Sequence, residues 1–375
     1  MDHVGTAREP PARLVFLWLY IGDVAAAYGV FLLTMISLLV ADTLSLGEAG
    51  LGIAFASLSV GGLASPFVSG VFADRAGPRP IMLTGLLSVC AGSLLAALSP
   101  ASWTFVIGQF LVGAGFSMYG VMAYSWINES LGSRKGAYLG LFVTAIVSGT
   151  VLSGISVAFL LPHVPSWRDF YFLSAAVVLV PAAILAVLLP SRMGVPSRRK
   201  DLRRALKHRD VRWVAGLQYL IGLGGAGYIW IPLFLVQDRA LGLQVAVLVF
   251  VGASAMWGLS GMWFGRLADE GWSKPLIVFG GLGTGATYLA FVLWPWLPAT
   301  VAFLFLYAFL WPAGAQVPFT FLGHRLGHVA QRTELGLSEN LFLAGDATGA
   351  ALIGFLAESW TLTWALALIP GVVTL

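Results

Sequence analysis

Charge is what this chain has least of. Only 10% of its 375 residues are charged, against roughly a quarter in soluble domains, which excludes an ordinary water-soluble enzyme of this length. Cysteine is nearly absent. The single Cys90 allows no internal disulfide and no cysteine-based metal site, and inside an apolar run it reads as a small hydrophobe in helix packing. The five histidines, His3, His163, His208, His324 and His328, all fall in loops or tails. No metal-ligand or nucleophile–base set can therefore form within the apolar runs, and neither catalysis nor a cofactor is expected. No Gly-x-x-x-x-Gly-Lys-Ser/Thr loop occurs, so ATP is not the expected energy source. No cleavable leader is expected either, because the first apolar run, 14–40, is far longer than a signal-peptide core and reads as a retained first span.

Hydrophobicity in long runs is what the chain has instead. It is 58% hydrophobic with a mean hydropathy of +0.87, and most runs reach the ~20 residues that cross a bilayer as helix. Polar turns divide it into twelve spans, near 14–40, 49–72, 80–98, 102–127, 136–161, 170–189, 213–236, 242–267, 275–297, 299–321, 335–356 and 360–375. An even number puts both termini on one side. Of the 21 basic residues, only Arg168 and Arg239 lie on the side away from the termini. By the positive-inside rule both termini are expected in the cytoplasm, as in a multi-pass protein of a prokaryotic inner membrane. The same partition explains a pI of 9.3 without a nucleic-acid partner.

The one long polar connection, 190–212, carries nine basic and two acidic residues. It reads as a cytoplasmic linker between an N-terminal half, 1–189, and a C-terminal half, 213–375. A repeat supports that division. Gly70 to Pro80 reads GVFADRAGPRP, and 195 residues later Gly265 to Pro275 reads GRLADEGWSKP. Gly140 and Gly149 in span five recur at offset 196 as Gly336 and Gly345 in span eleven. Small residues at such spacing let membrane helices approach closely, and two six-span units in parallel repeat follow. The repeat places the end of span twelve near residue 384, so the given chain is expected to stop inside that helix.

The Gly70-x-Phe-Ala-Asp74-Arg75-x-Gly77-Pro-Arg79 loop resembles the signature between spans two and three of the major facilitator superfamily. Its weaker copy sits where that family has an echo, between spans eight and nine. The resemblance covers essentially the whole chain. It implies an all-α integral membrane fold of twelve transmembrane helices, arranged as two pseudo-symmetric six-helix bundles. It also implies a cytoplasmic gate in which Asp74 meets the N-terminus of span eleven, a favourable and breakable contact of about 0.3–1 kcal/mol when exposed. Gate residues under this reading are Gly70, Asp74, Arg75, Gly77 and Arg79, with Glu129 and Arg134 as a charge network. Gly265, Asp269 and Glu339 complete the set. Gly77 suits a turn of positive φ, and Pro80 and Pro275 suit helix starts. There are departures. Gln109 stands four residues before Gly113 where the family has an arginine associated with proton coupling, and Ser153-Gly154 replaces the Gly-Pro associated with antiporters.

An ionisable residue within a span costs at least ~2.5 kcal/mol and is functional by default. Asp23 in span one, flanked by Tyr20 and Tyr28, and Asp346 in span eleven are the two deep carboxylates. A carboxylate that alternates between dry and wet surroundings can take up and release a proton, so both are candidates for proton coupling or for binding a cationic group. The plainer alternative is a fixed hydrogen bond between helices. No Lys, Arg or His lies deep in any span, which favours a neutral or cationic solute. The resemblance makes spans one, four, seven and ten line the central cavity. Its candidates are then Gln109, Tyr119 and Tyr124, with Gln218, Tyr219, Tyr228 and Trp230 in span seven. Tyr307, Trp311 and Gln316 are those of span ten, where Pro312 would form a mid-depth hinge. The expected function is secondary active transport of a small solute by alternating access, by a monomer coupled to protons. An uncoupled facilitator and a non-transporting sensor are the alternatives.

Overall fold

The computed structural model describes residues 11–131, 135–189 and 209–372. Of their side chains, those of 66–76, 128–129, 135–137, 210, 319–320, 322–336, 338 and 372 are outside the description. Every regular element among the described residues is helical, as lipid requires of a chain that cannot leave backbone groups unpaired. The first half contains α1 (Ala12–Leu44), α2 (Glu48–Ala76), α3 (Pro78–Ala97), α4 (Ser102–Ser130), α5 (Lys135–Leu160) and α6 (Arg168–Leu188). In the second half α7 runs over Arg209–Gly225, a 3-10 turn at Ala226–Trp230, and Ile231–Gln237. It is followed by α8 (Leu243–Leu267), α9 (Ser273–Leu293), α10 (Leu297–Ala315), α11 (Val317–Ser359) and α12 (Leu362–Leu366, continued by a wider turn through Ala367–Val372). Ten stretches are long and apolar enough to cross a bilayer, one of them, Leu243–Leu293, containing both α8 and α9. The described part of α12 is the short one.

Two boundaries differ from the sequence reading. Span ten ends at Ala315, not near 321, so Pro312 lies in its last turn and not at mid-depth. Helical structure resumes at Val317, and only Glu339–Ser359 of α11 is apolar enough to span. Phe321 and Leu337 both pack against Val211 and Val214.

α1 packs on α4, α5 and α6, and α3 on α4 and α6; α7 packs on α11, α9 on α10 and α12, and α8 on α10. The two bundles meet through α2 with α11 and through α5 with α8. The internal repeat survives at atomic detail. A Cβ at Gly149 would stand 2.6 Å from the Val24 carbonyl and 2.9 Å from the Tyr28 nitrogen. One at Gly345 would meet the Tyr219 carbonyl and stand 2.8 Å from the Leu223 nitrogen. Both backbones sit in the same crossing, α5 over α1 and α11 over α7. Because the obstacle is main chain, it cannot rotate away. Gly149→Leu is therefore expected to destabilise the protein by about 1–3 kcal/mol or more, read as a lower Tm of the detergent-solubilised protein.

The two arginines that break the charge bias have structural partners. Arg168 donates to the carbonyls of Ala97 (2.9 Å) and Ser99 (2.8 Å) at the end of α3. Arg239 donates to Val292 (2.6 Å) at the end of α9, and Ala97 and Val292 are repeat counterparts. Each guanidinium also lies over an aromatic ring, Trp167 at 4.7 Å and Phe234 at 4.9 Å. A cation suits the unpaired carbonyls and negative dipole end of a helix. Both arginines thus stabilise helix ends.

The core divides unequally. One apolar cluster, from Tyr28 and Phe55 through Trp230 and Phe250 to Ile353, joins both halves at the end away from the 190–212 linker. Towards the linker the described core splits. Leu19, Met82, Tyr119 and Leu185 belong to a cluster of the first half alone, and Phe264, Ala313 and Val211 to two small clusters of the second. Among the described residues, then, the apolar cluster shared by the two halves lies at the far end, and the clusters nearer the linker each belong to one half.

Candidate functional site

Asp23 lies on the face of α1 that meets α4. It is 2% exposed, and its Oδ1 has no partner among the described residues. Tyr119 packs against Gly22 next to it and donates its hydroxyl to the Leu19 carbonyl at 2.7 Å. Half-buried Tyr124, one turn further along α4, stacks edge-on against Phe142 at 5.1 Å and lies within electrostatic range of Asp23 and Glu339. Glu339 is exposed, at the linker-side start of the spanning part of α11. The repeat counterpart of Asp23 is Gln218, fully buried on α7. Its Nε2 donates to Ala315 of α10 at 3.3 Å, and its Oε1 is unpaired among the described residues. An unpaired buried oxygen therefore stands at one repeat position in each half. A buried carboxylate in that state is cheapest to hold uncharged.

Asp346 is placed differently. It is half-buried on α11 and accepts a hydrogen bond from Ser59 Oγ of α2, the helix it meets across the two halves. The deep carboxylates thus occupy distinct settings, one inside a half and one between halves.

The remaining candidates do not form one cluster. Tyr20 pairs with Thr144 (3.2 Å) and Ser148 (3.0 Å), and Tyr28 with Ser156 (2.8 Å), all on α5. Tyr219 reaches Thr348 of α11 at 3.4 Å. Gln109 is buried within the first half, donating to the Tyr171 hydroxyl at 2.8 Å. Tyr307 is buried against Tyr288 at 4.9 Å, and Trp311 lines a groove between α7, α9 and α10. Gln316 falls between α10 and α11, its Oε1 against Gly261 of α8. Tyr228 and Trp230 lie within the 3-10 break in α7. Tyr228 bonds Ser254 at 2.5 Å and packs on Phe250 and Trp257. Trp230 is buried against Phe55 of the other half at 5.2 Å.

In the signature loop, Gly77 takes φ 80° and turns the chain from α2 into α3. In the echo the turn falls one position earlier, at Gly271 with φ 98°. Pro78 opens α3, and Pro80 and Pro275 are each third in their helix. Arg79 donates to the Ala186 carbonyl near the end of α6. Gly265 is in the last turn of α8, and Asp269 in the turn that follows. Arg134 lies outside the described residues, as do the side chains of Asp74, Arg75 and Glu129 and the surroundings of Gly70. Sequence reasoning missed Ser59 and Trp257. Ser59 had a signal: Ser254 stands 195 residues later, and both hydroxyls meet a polar side chain on another helix.

A bundle of helices most of which are long and apolar enough to cross a bilayer, with polar side chains buried between them, is the architecture of a polytopic membrane protein. The sequence matches the Major Facilitator Superfamily over residues 18–338, and the chain belongs to that family. It is 27% identical over 177 residues to the multidrug resistance protein MdtL of Escherichia fergusonii, covering 45% of this chain and 44% of that protein. To MdtM of Escherichia coli K12 it is 24% identical over 151 residues, covering 40% and 37%. In these matches the chain spans less than half the length of the relatives. Among solved structures, a bacterial homologue of the human lysosomal transporter Spinster, inward-facing and unoccupied, superposes with TM-score 0.80 at 15% identity, over 96% of this chain and 88% of that one. A D-xylose–proton symporter gives TM-score 0.76 at 15% identity, over 97% and 96%. At such identities the likeness is one of fold.

Proposed function

We propose that this protein is a secondary active transporter that moves a small neutral or cationic solute by rocking its halves, with proton movement as the energy source. The observation that carries the reading is Asp23, buried beside the α4 tyrosines with an oxygen unpaired among the described residues, in a molecule whose shared apolar cluster lies at the end away from the linker. Water entering from that end can exchange a proton with the carboxylate, and closure removes the water. Tyr124 and exposed Glu339 line the route. No deep basic side chain is available among the described residues to pair with an anion, which favours a neutral or cationic solute, and the relatives named for multidrug resistance fit a small-molecule cargo. The working units in this reading are 1–189 and 213–375, joined by the cytoplasmic linker 190–212. Both termini are cytoplasmic, the membrane is a prokaryotic inner membrane, and the monomer is the functional unit.

The test is solute flux in proteoliposomes with and without an imposed pH gradient. Gradient-dependent accumulation is expected, and flux indifferent to the gradient would sink the coupling. The gate gives a further expectation. Asp74→Asn should impair transport several-fold more than Asp269→Asn, since Asp269 is followed by Glu270 where Asp74 is followed by Arg75. The reverse order in an uptake assay would overturn the assignment of the gate to the first copy.

A further inference from the structure

The α2/α11 contact carries a second acid, on the side away from the linker. Glu358, in the last turn of α11, accepts a hydrogen bond from the backbone nitrogen of Ala49 in the first turn of α2, at 2.9 Å. The two elements belong to different halves and are 309 residues apart in sequence. The approach is built into the main chain. A Cβ at Gly52 would stand 3.0 Å from the Gly354 Cα, and one at Gly354 would stand 2.9 Å from the Gly52 Cα. A Cβ at Gly47 would lie 3.1 Å from Glu358 Oε2. The first nitrogens of a helix have no intrahelical acceptor and form its positive end, so a carboxylate is a suitable partner. Beneath this contact lies the apolar cluster that joins the halves, including Phe55 of α2 and Ile353 of α11.

The geometry points to Glu358 as the gating residue of the far side. It holds α2 and α11 together in the state seen, and it must let go when that side opens. The assignment rests on the alternating-access reading. Its chemistry fits a reversible role, because Glu358 is solvent-exposed and water can replace the lost bond when the helices part. The opposite end of the same helix pair is where Asp74 is expected to meet the start of α11. On that scheme each helix would end in an acid directed at the other's N-terminus, and only one of the two contacts would be closed at a time.

The test measures both sides at once. Spin labels at W103C and W296C, both exposed on the far side, report its opening in a Cys90→Ala background. Labels at S130C and W272C, exposed on the linker side, report the other. Double electron–electron resonance in nanodiscs is expected to show opposed changes of the two distances in the unsubstituted protein when pH is stepped. In Glu358→Gln and Glu358→Ala the ratio of far-side-open to far-side-closed molecules should rise roughly two- to fivefold, the range given by an exposed acid at a helix N-terminus, with an unchanged Tm. Opposed distances in the parent and no shift in either variant would overturn the role of Glu358 while leaving alternating access standing. Two fixed distances in the parent would overturn alternating access, and the gating role with it.

Discussion

Asp23→Asn abolishes accumulation driven by a pH gradient while the protein remains folded and continues to bind its solute: this is the largest effect expected of any single substitution here. The isosteric amide fills the same space between α1 and α4, so the packing of Gly22 on Tyr119 is kept. What is lost is the exchangeable proton. An ionised carboxylate at mid-bilayer costs at least ~2.5 kcal/mol, equivalent to a factor of roughly sixty in a proton equilibrium. Without that proton the imposed gradient has nothing to act on, so accumulation is expected to fall to the level of passive equilibration. Lowering pH on the linker side fills the parent carboxylate with protons and alters its transport rate, whereas the Asn variant should be flat across the same range. Downhill exchange of solute should persist in the variant, because that movement needs no net proton transfer. A variant that accumulates solute with the parental pH profile would show that Asp23 is a buried structural group.

Much of the architecture is legible from hydropathy alone. The run of apolar spans and the 195-residue offset are one-dimensional features, and lipid forces the chain to express the spans as helices. The failures are informative. Pro312 reads as a mid-span hinge because the apolar run continues past it to Phe321, but the helix ends at Ala315. Hydropathy detects what tolerates lipid and not where a backbone breaks. The break in α7 at Ala226–Trp230 has a clearer cue in Gly222, Gly224, Gly225 and Gly227, since glycine weakens helix interiors. Among site residues, Asp23 is identifiable because a lone carboxylate in an apolar run is costly wherever it points. The aromatic candidates are not. Tyr307 and Trp311 turn towards α9 and α7, and rotation of a helix about its axis is set by packing partners distant in sequence. The contact between Glu358 and Ala49 is invisible for the same reason, as 309 residues separate its ends.

Asp346 calls for a pair of substitutions, and the two should dissociate. Its carboxylate accepts the Ser59 hydroxyl across the α2/α11 contact, so one group serves an interface and offers a proton site. Asp346→Asn keeps an acceptor for that hydroxyl but removes the exchangeable proton. Ser59→Ala keeps the carboxylate but removes its donor. A hydrogen bond to a charged group contributes about 1.5–3 kcal/mol. If Asp346 is charged in this state, the Ser59 variant should lose stability on that order, and a neutral pair should lose about 0.5–1.5 kcal/mol. Gradient-driven accumulation should fall at least about tenfold in Asp346→Asn, a loss of ~1.4 kcal/mol, with a Tm close to that of the parent. Ser59→Ala should show the converse, a lowered Tm with coupling retained. The contact must also shift whenever α2 and α11 part, so Ser59→Ala is expected to speed exchange between the two states even as it weakens the one seen. Equal losses of stability and coupling in both variants would mean that Asp346 only fastens the two halves together. Asp23 would then be the sole deep carboxylate left to carry the proton.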